Sequence, residues 1–434
     1  MRPERLHSYI LTLLALLSPP SSSIAGDFLC AGALSPGAAN QSPKRTPTLA
    51  QYPTTGTGNA LVLFARFHGE ETGGDDAPTW SQGIFDPQQP GSFSHFYDTM
   101  SFGKLLMRGE VAPRYYESPR SASAYLADTP GQLGQFGRFV AEILQQADRD
   151  IDFSRFDSDG PDNIPDSGDD DGWVDALFLI LPSVPESFLL DAATGIGNLG
   201  LAESWETGDA GASGNPIRIS SMQGSILQGR TFAGTVGSMC HEYGHLLGLP
   251  DLYNTAYLQS EETAPESDSA GIGAWGLMGW GALGWNGNDG PVSLSAWSRM
   301  QLGWAQVEEP IRERTDLELE DVGIRGKLFK LPLDEKEFFL LEHRRRASTF
   351  YDRHLPTGGL LIWHVDQIDP IHAAVDLECA DGRWLDAGYP LGREPAPQDG
   401  GDNLDFWAHD RSYTSHHGGN QGDATDPFDG TRFR

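Results

Sequence analysis

The chain is 434 residues long, 38% hydrophobic and 10% aromatic, and carries a formal net charge of −31. That supplies enough apolar material for a packed core in one or more lobes, which excludes a wholly disordered chain, and the negative charge argues against nucleic acid or an anionic membrane surface as partner. Three cysteines (Cys30, Cys240 and Cys379) with no Cys-x-x-Cys pair give neither a disulfide scaffold nor support for a thiolate zinc site.

Residues 1–25 read as a secretory signal peptide. Arg2 and Arg5 precede an apolar stretch at 9–17 too short to span a bilayer, and small residues lead to a cleavage point near Ala25. No other stretch is long and apolar enough to cross a membrane, so a secreted protein without stable membrane insertion is expected. Residues 26–55, rich in Ser, Pro, Ala, Gly and Thr, read as a flexible leader or short pro-segment with Lys44-Arg45 as a processing point. In such a pro-segment Cys30 is the residue able to cap a metal as a thiolate.

Order begins with an apolar run at 60–67, suited to a buried strand. A helix is predicted at 93–97, a strand at 105–111, and a helix at 133–147 where Phe136, Phe139, Val140, Ile143 and Leu144 recur at helical spacing. Between Asp157 and Asp175 eight carboxylates crowd into nineteen residues and repel one another unless water or a cation intervenes. Structural Ca2+ is one reading of that loop, since calcium is the hard, oxygen-seeking ion available outside cells; a solvated loop is the other. A strand is predicted at 176–181. From about residue 307 the pattern turns to short strands, at 327–333, 338–342 and 359–365, followed by a Gly/Asp/His-rich tail.

The chemistry is concentrated between these halves. His241-Glu242-Tyr243-Gly244-His245 places two histidines four residues apart, so on a helix both imidazoles leave one face and can share an ion. Glu242 lies about 100° further round, in reach of a metal-held water without ligating the metal, which suits a general base. Phe232, Val236, Met239, Tyr243 and Leu246 form an apolar stripe that would bury this helix. Gly248 can turn the chain sharply, bringing Asp251 back as third ligand. Downstream, Met278 sits in a Gly-rich turn running from Gly273 to Trp280, like the Met-turn that floors the metal in metzincins.

In order along the chain these stretches resemble the immune inhibitor A family of secreted metallopeptidases. The resemblance runs through Phe96-Tyr97 and Ser101 to Leu105, Gly172 to Leu177, the zinc motif through Tyr253, the Met278 turn, and Leu294 to Trp304. It continues through Leu341 to Arg344, Gly359 to Asp366, Ala380 to Gly382 and Asp426 to Phe428. It implies an extracellular endopeptidase acting on proteins or peptides, with one catalytic Zn2+ in a cleft and structural calcium elsewhere. The third ligand departs from the histidine most metzincins use at this position, and Asp is what the family leads one to expect.

The expected fold is therefore α+β. A zincin- or metzincin-like two-lobed catalytic domain spans 56–305, its lobes meeting near residue 249, and a β-rich extension spans 306–434. Expected site residues are Glu242 as catalytic base and His241, His245 and Asp251 on zinc. Two rivals stand beside this reading. One is a gluzincin-type peptidase whose third ligand is a distal Glu such as Glu266, Glu308 or Glu309; the other is a calcium-dependent adhesion or glycan-binding module with a vestigial metal site. Cys240 reads as a small buried hydrophobe, His364 as a histidine satisfied at a sheet edge, and Tyr253, Trp280 and Trp285 as packing aromatics.

Overall fold

A computed structural model describes residue 30 and residues 53–160, 162, 164–165, 167–253, 272–310, 317–367, 373–378, 380, 422, 424 and 426–431. The expected signal peptide, Lys44-Arg45, Glu266, Cys379 and most of the Gly/Asp-rich tail lie outside these residues. The chain folds as a mixed α+β protein with a β-rich C-terminal sheet.

The N-terminal sheet is mostly parallel. Strand β1 (Gly56–Arg66) runs between β2 (Leu105–Glu117) and β3 (Ala176–Leu181), and β3 pairs with β7 (Gly224–Gln228). The two-residue strand β4 (Gly195–Ile196) closes the far edge antiparallel to β7, while β5 (Trp205–Ala210) and β6 (Pro216–Ile219) form a separate antiparallel pair. β3 and the 60–65 stretch of β1 are apolar at every position because both faces of the sheet are covered there. Ala60, Val62, Phe64, Ala176, Phe178 and Ile180 enter one core, and their alternating neighbours Leu61, Leu63, Ala65, Leu177, Leu179 and Leu181 enter the other.

Helices α1 (Phe93–Ser101) and α3 (Phe232–Leu246) pack into the first core and α2 (Phe136–Ala147) into the second. α2 begins three residues later than its hydrophobic spacing predicts. Leu133 bridges to Leu190, and the N–H groups of Gly134 and Gln135 donate to Leu189 and Tyr125 carbonyls, which holds that stretch out of the helix. α1 starts where Ser92 accepts the His95 N–H at 3.0 Å, and it runs past the expected 93–97 to Ser101.

The C-terminal sheet is built on the same core as α3. After α4 (Ala296–Gln301), β8 (Gln306–Glu308) lies parallel to β9 (Lys327–Pro332), preceded by the one-turn α5 (Val322–Arg325); β10 (Glu337–Arg344), β11 (Gly359–Gln367) and β12 (Ala373–Leu377) continue antiparallel. Every second residue of β10 points inward, placing Phe338, Leu340, Glu342 and Arg344 in the interior. The last two form a fully buried pair at 2.9 Å. Arg344 also donates to the Trp275 and Leu294 carbonyls at 2.7 and 2.8 Å, and Trp363 Nε1 donates to Glu342 at 3.0 Å. Such a pair offsets its desolvation only as far as its remaining donors and acceptors are met; here Glu342 Oε2 and Arg344 Nε have no partner among the described residues, and the bond to the Trp275 carbonyl ties the pair to the turn that carries Met278.

His364 departs from its expected setting. It lies on β11, interior to the sheet, where it contacts Glu337 at 2.7 Å and Glu378 at 3.4 Å instead of standing at an edge.

Candidate metal centre

α3 starts at Thr231, whose hydroxyl accepts the Gly234 N–H at 3.2 Å, and it is buried from Thr235 to Leu246. It ends in a Schellman turn: Gly248 N–H donates to the His245 carbonyl and Leu249 N–H to the Gly244 carbonyl, both at 2.9 Å. Gly248 supplies the left-handed conformation this closure requires, at φ 90°. The chain then doubles back so that Asp251 faces the helix it has just left.

Asp251 Oδ1 lies 3.0 Å from His241 Nε2 and 3.5 Å from His245 Nε2. Each ring is fixed by its other nitrogen. His241 Nδ1 contacts the Leu277 carbonyl at 2.9 Å, and His245 Nδ1 the Leu249 carbonyl at 2.8 Å, the latter from the same turn that ends the helix. A carbonyl oxygen only accepts, so each Nδ1 carries a proton and donates. In the neutral imidazole each Nε2 then presents a lone pair toward the carboxylate. That is acceptor against acceptor, and it is relieved either by protonating the rings or by a cation among the donors.

The local charges express the same conflict. Burial pulls the His245 pKa down, but Asp251, Glu242 and the Leu249 carbonyl raise it to about 9. Burial pushes Asp251 up, but His245 and His241 hold it well below the usual carboxylate range. The ligand atoms of Cys30, His241, His245 and Asp251 lie within 4.8 Å of one another, a donor set suited to a divalent metal.

Glu242 is fully buried beside this cluster, and neither carboxylate oxygen has a hydrogen-bond partner of ordinary geometry. Burial raises its pKa, opposed by His245, His241 and the neighbouring Cys30 thiol. An isolated carboxylate in such a place is costly unless its partner is a water or a reacting group.

Met278 is fully buried against α3. A Cβ at Gly244 would stand 2.5 Å from its sulfur, so a larger residue between the two histidines would force the Met278 side chain or the helix to shift. The Met278 carbonyl also accepts the Leu252 N–H at 2.8 Å, tying the methionine turn to the strip that carries Asp251. This role of Gly244, and those of the Leu249 and Leu277 carbonyls, escaped the sequence reading. The glycine was visible inside the H-E-x-x-H motif; the carbonyls carry no side-chain signature.

A second cluster forms on the Asp-rich loop, where carboxylates of Asp157, Asp159 and Asp170 converge within 4.8 Å. Asp157 is 2% exposed with Oδ1 unpartnered, and burial with the charges of Asp170, Asp171, Asp175 and Asp159 raises its pKa to about 7. Asp171 caps Trp173 N–H at 2.9 Å, and Asp175 accepts from Asn59 and Ser158, anchoring the loop to β1. Glu308 and Glu309 pair with Lys327 and Lys330 along the C-terminal sheet and are not part of either cluster. Cys240 is fully buried in α3 and Trp285 is buried, whereas Tyr253 and Trp280 are only partly buried, with Tyr253 lying at a tilt between His241 and Trp280.

Residues 80–308 match the family model described as immune inhibitor A peptidase M6, catalytic domain. The pre-pro-metalloprotease PrtV of Vibrio cholerae serotype O1 is 27% identical over 233 residues, covering 49% of this chain and 23% of that protein. Immune inhibitor A of Bacillus thuringiensis subsp. alesti is 29% identical over 216 residues, 43% of this chain and 28% of the relative. The chain thus spans about a quarter of the length of these curated relatives. Among solved structures, OgpA from Akkermansia muciniphila superposes with a TM-score of 0.27 at 13% identity, covering 78% of this chain and 90% of that one.

Proposed function

The chain belongs to the immune inhibitor A peptidase family, and on that premise we propose that it is a secreted zinc-dependent endopeptidase acting on extracellular proteins or peptides. His241, His245 and Asp251 hold the metal, and Glu242 is the general base. The carrying observation is the pair of histidines whose Nδ1 atoms are committed to carbonyls, leaving both Nε2 atoms to converge with Asp251 on one point. Two imidazoles and a carboxylate would supply three of the four ligands zinc commonly takes, leaving room for a water, as a hydrolytic site needs. Zinc, when bound, supplies Lewis acidity toward a water and a substrate carbonyl.

The chain's own residues do the rest. The Leu277 and Leu249 carbonyls hold the imidazoles in one tautomer and orientation, so the ligand geometry is set before the metal arrives. The buried Glu242 carboxylate takes a proton from the attacking water at one of its oxygens and returns it to the departing amine nitrogen. Burial raises its pKa, which makes the carboxylate a stronger proton acceptor than an exposed glutamate.

We read residues 56–305 as a two-lobed metzincin-like catalytic unit, with Met278 flooring the metal from beneath α3, and residues 306–434 as its β-rich extension. The cluster of Asp157, Asp159 and Asp170 is assigned to structural Ca2+, supported by its buried, unpartnered Asp157 oxygen. Among the described residues no helix is long and apolar enough to cross a membrane.

The test is Glu242→Gln. The amide keeps the shape, so zinc stoichiometry is retained while turnover on a denatured protein substrate falls about 100- to 10,000-fold. A folded, zinc-loaded Glu242→Gln protein with near wild-type proteolysis refutes the assignment.

A further inference from the structure

The donor set contains one residue that a hydrolytic zinc site does not need. Cys30 is fully buried, and its Sγ lies 3.4 Å from His245 Nε2, a contact made across 215 positions of sequence. The sulfur falls within the same 4.8 Å cluster as the two histidines and Asp251. It also stands beside the buried Glu242 carboxylate, whose oxygens have no hydrogen-bond partner of ordinary geometry.

The backbone is held as well as the side chain. Cys30 forms a parallel β-bridge to Gly195, the first residue of β4. β4 is the outermost strand of its sheet, and the chain just after it overlies the reacting centre: a Cβ at Gly197 would stand 3.2 Å from Glu242 Oε2. The edge strand of a sheet beside a peptidase site is where an extended peptide can add as a further strand. Cys30 therefore occupies two places at once, the open side of the metal cluster and the edge on which a substrate backbone would pair.

Resting on the zinc reading above, we propose that Cys30 is a fourth, masking ligand: its thiolate closes the position that hydrolysis requires, and its backbone blocks the β4 edge, so that the chain is latent until Cys30 leaves. Thiolate sulfur is among the preferred ligands of zinc and completes a closed four-ligand site of the kind that is structural and inert. Coordination involves no redox change. The thiol proton is lost to solvent and a sulfur lone pair is donated to the metal; on departure the sulfur regains a proton, and the position and the edge become available together. A cysteine in this role explains why a chain with no Cys-x-x-Cys pair buries a thiol from its leader against two histidines.

The experiment uses the full chain, wild type and Cys30→Ser, with Co2+ exchanged into the metal site, and Cys240→Ala as the control for the other described thiol. Wild type and Cys240→Ala are expected to show thiolate-to-cobalt charge-transfer absorption in the near ultraviolet. Cys30→Ser loses that band while keeping the visible ligand-field bands of a cobalt site held by histidine and carboxylate. Iodoacetamide should label Cys30 in the metal-free protein and at least tenfold more slowly in the zinc-loaded one. Zinc-loaded Cys30→Ser is expected to cleave a peptide at least about tenfold faster than unprocessed wild type, which corresponds to a masked state outweighing the open one by that ratio. Cobalt bound in wild type with the ligand-field bands and no charge-transfer band overturns the masking role and leaves the zinc peptidase reading standing. Failure of all three proteins to bind Co2+ or Zn2+ overturns both.

Discussion

Gly244→Ala examines the link between the methionine turn and the metal-holding helix. The substitution favours the helix by propensity, by about 1 kcal/mol. Against that, the new Cβ would stand 2.5 Å from Met278 Sδ and 3.2 Å from its Cε, in a place where Met278 is fully buried. Contact of a carbon and a sulfur at that distance forces the side chain or the helix to move, and overpacking of this kind costs about 1–3 kcal/mol. Set against the propensity gain, the net cost is about 0–2 kcal/mol, a fall in melting temperature of up to about 8 °C at roughly 2–4 °C per kcal/mol. Because Gly244 is next to His245, the displacement also reaches the ligands, and zinc affinity is expected to fall about tenfold, as for other groups that orient ligands from behind. Met278→Ala alone leaves a cavity and costs about 2–5 kcal/mol. The double variant removes the clash, so it should be more stable than the sum of the singles by about 1 kcal/mol or more. Thermal melting and a competitive zinc titration on the four proteins measure both quantities. An additive cycle, or a Gly244→Ala protein with unchanged melting and unchanged zinc affinity, refutes the claim that the methionine braces the ligand helix.

Asp251→Ala should strongly weaken zinc binding in a chelator competition, whereas Glu308→Ala and Glu309→Ala should not, since those glutamates pair with Lys327 and Lys330; the reverse pattern moves the third ligand downstream. Ca2+ should raise the melting temperature, because an ion that binds only the folded form stabilises it, and Asp157→Asn with Asp170→Asn should abolish the shift while Asp171→Asn leaves it. In calcium-free protein Asp157 and Asp175 are held by burial at pKa values of about 7, above their unfolded values near 4. The folded state then binds the extra protons, so the contribution of these two groups to stability is fully present below about pH 4 and is lost as pH rises through 7; saturating Ca2+ should remove that loss, and Asp157→Asn should reduce it. A difference between calcium-loaded and calcium-free melting temperatures that does not grow with pH over this window contradicts the environment assigned to the loop.

Much of the architecture could be read from local pattern because local physics determined it. The run at 60–67 and the strand at 176–181 are apolar at successive positions since helices cover both faces of their sheet, and continuous burial is what such runs signal. The start of α2 could not be read in the same way. Leu133 continues the hydrophobic spacing, but two N–H groups just ahead of the helix are taken by the carbonyls of Tyr125, ten residues earlier, and of Leu189, a segment distant in sequence. Strand β4 has only two residues and owes its conformation entirely to β7, so no periodicity announces it. β8 is exposed along its length and is defined by its pairing with β9.

The same division runs through the site. His241, Glu242 and His245 are fixed relative to one another by helix geometry, and Asp251 by a turn whose one special conformation Gly248 provides, so four residues within eleven positions can be placed by spacing alone. Cysteine counting treats thiols by their neighbours in sequence, and by that measure a thiolate ligand had no support. Yet the donor nearest His245 from outside the helix region is Cys30, brought there by a bridge to the edge strand that itself has no sequence signal. A ligand contributed by a leader need satisfy no spacing rule, because it must be able to leave. Ligands that have to stay come from one helix and its turn, where the backbone holds them together; a ligand that has to depart comes from far away in the sequence, here through a bridge to β4 and a sulfur beside His245.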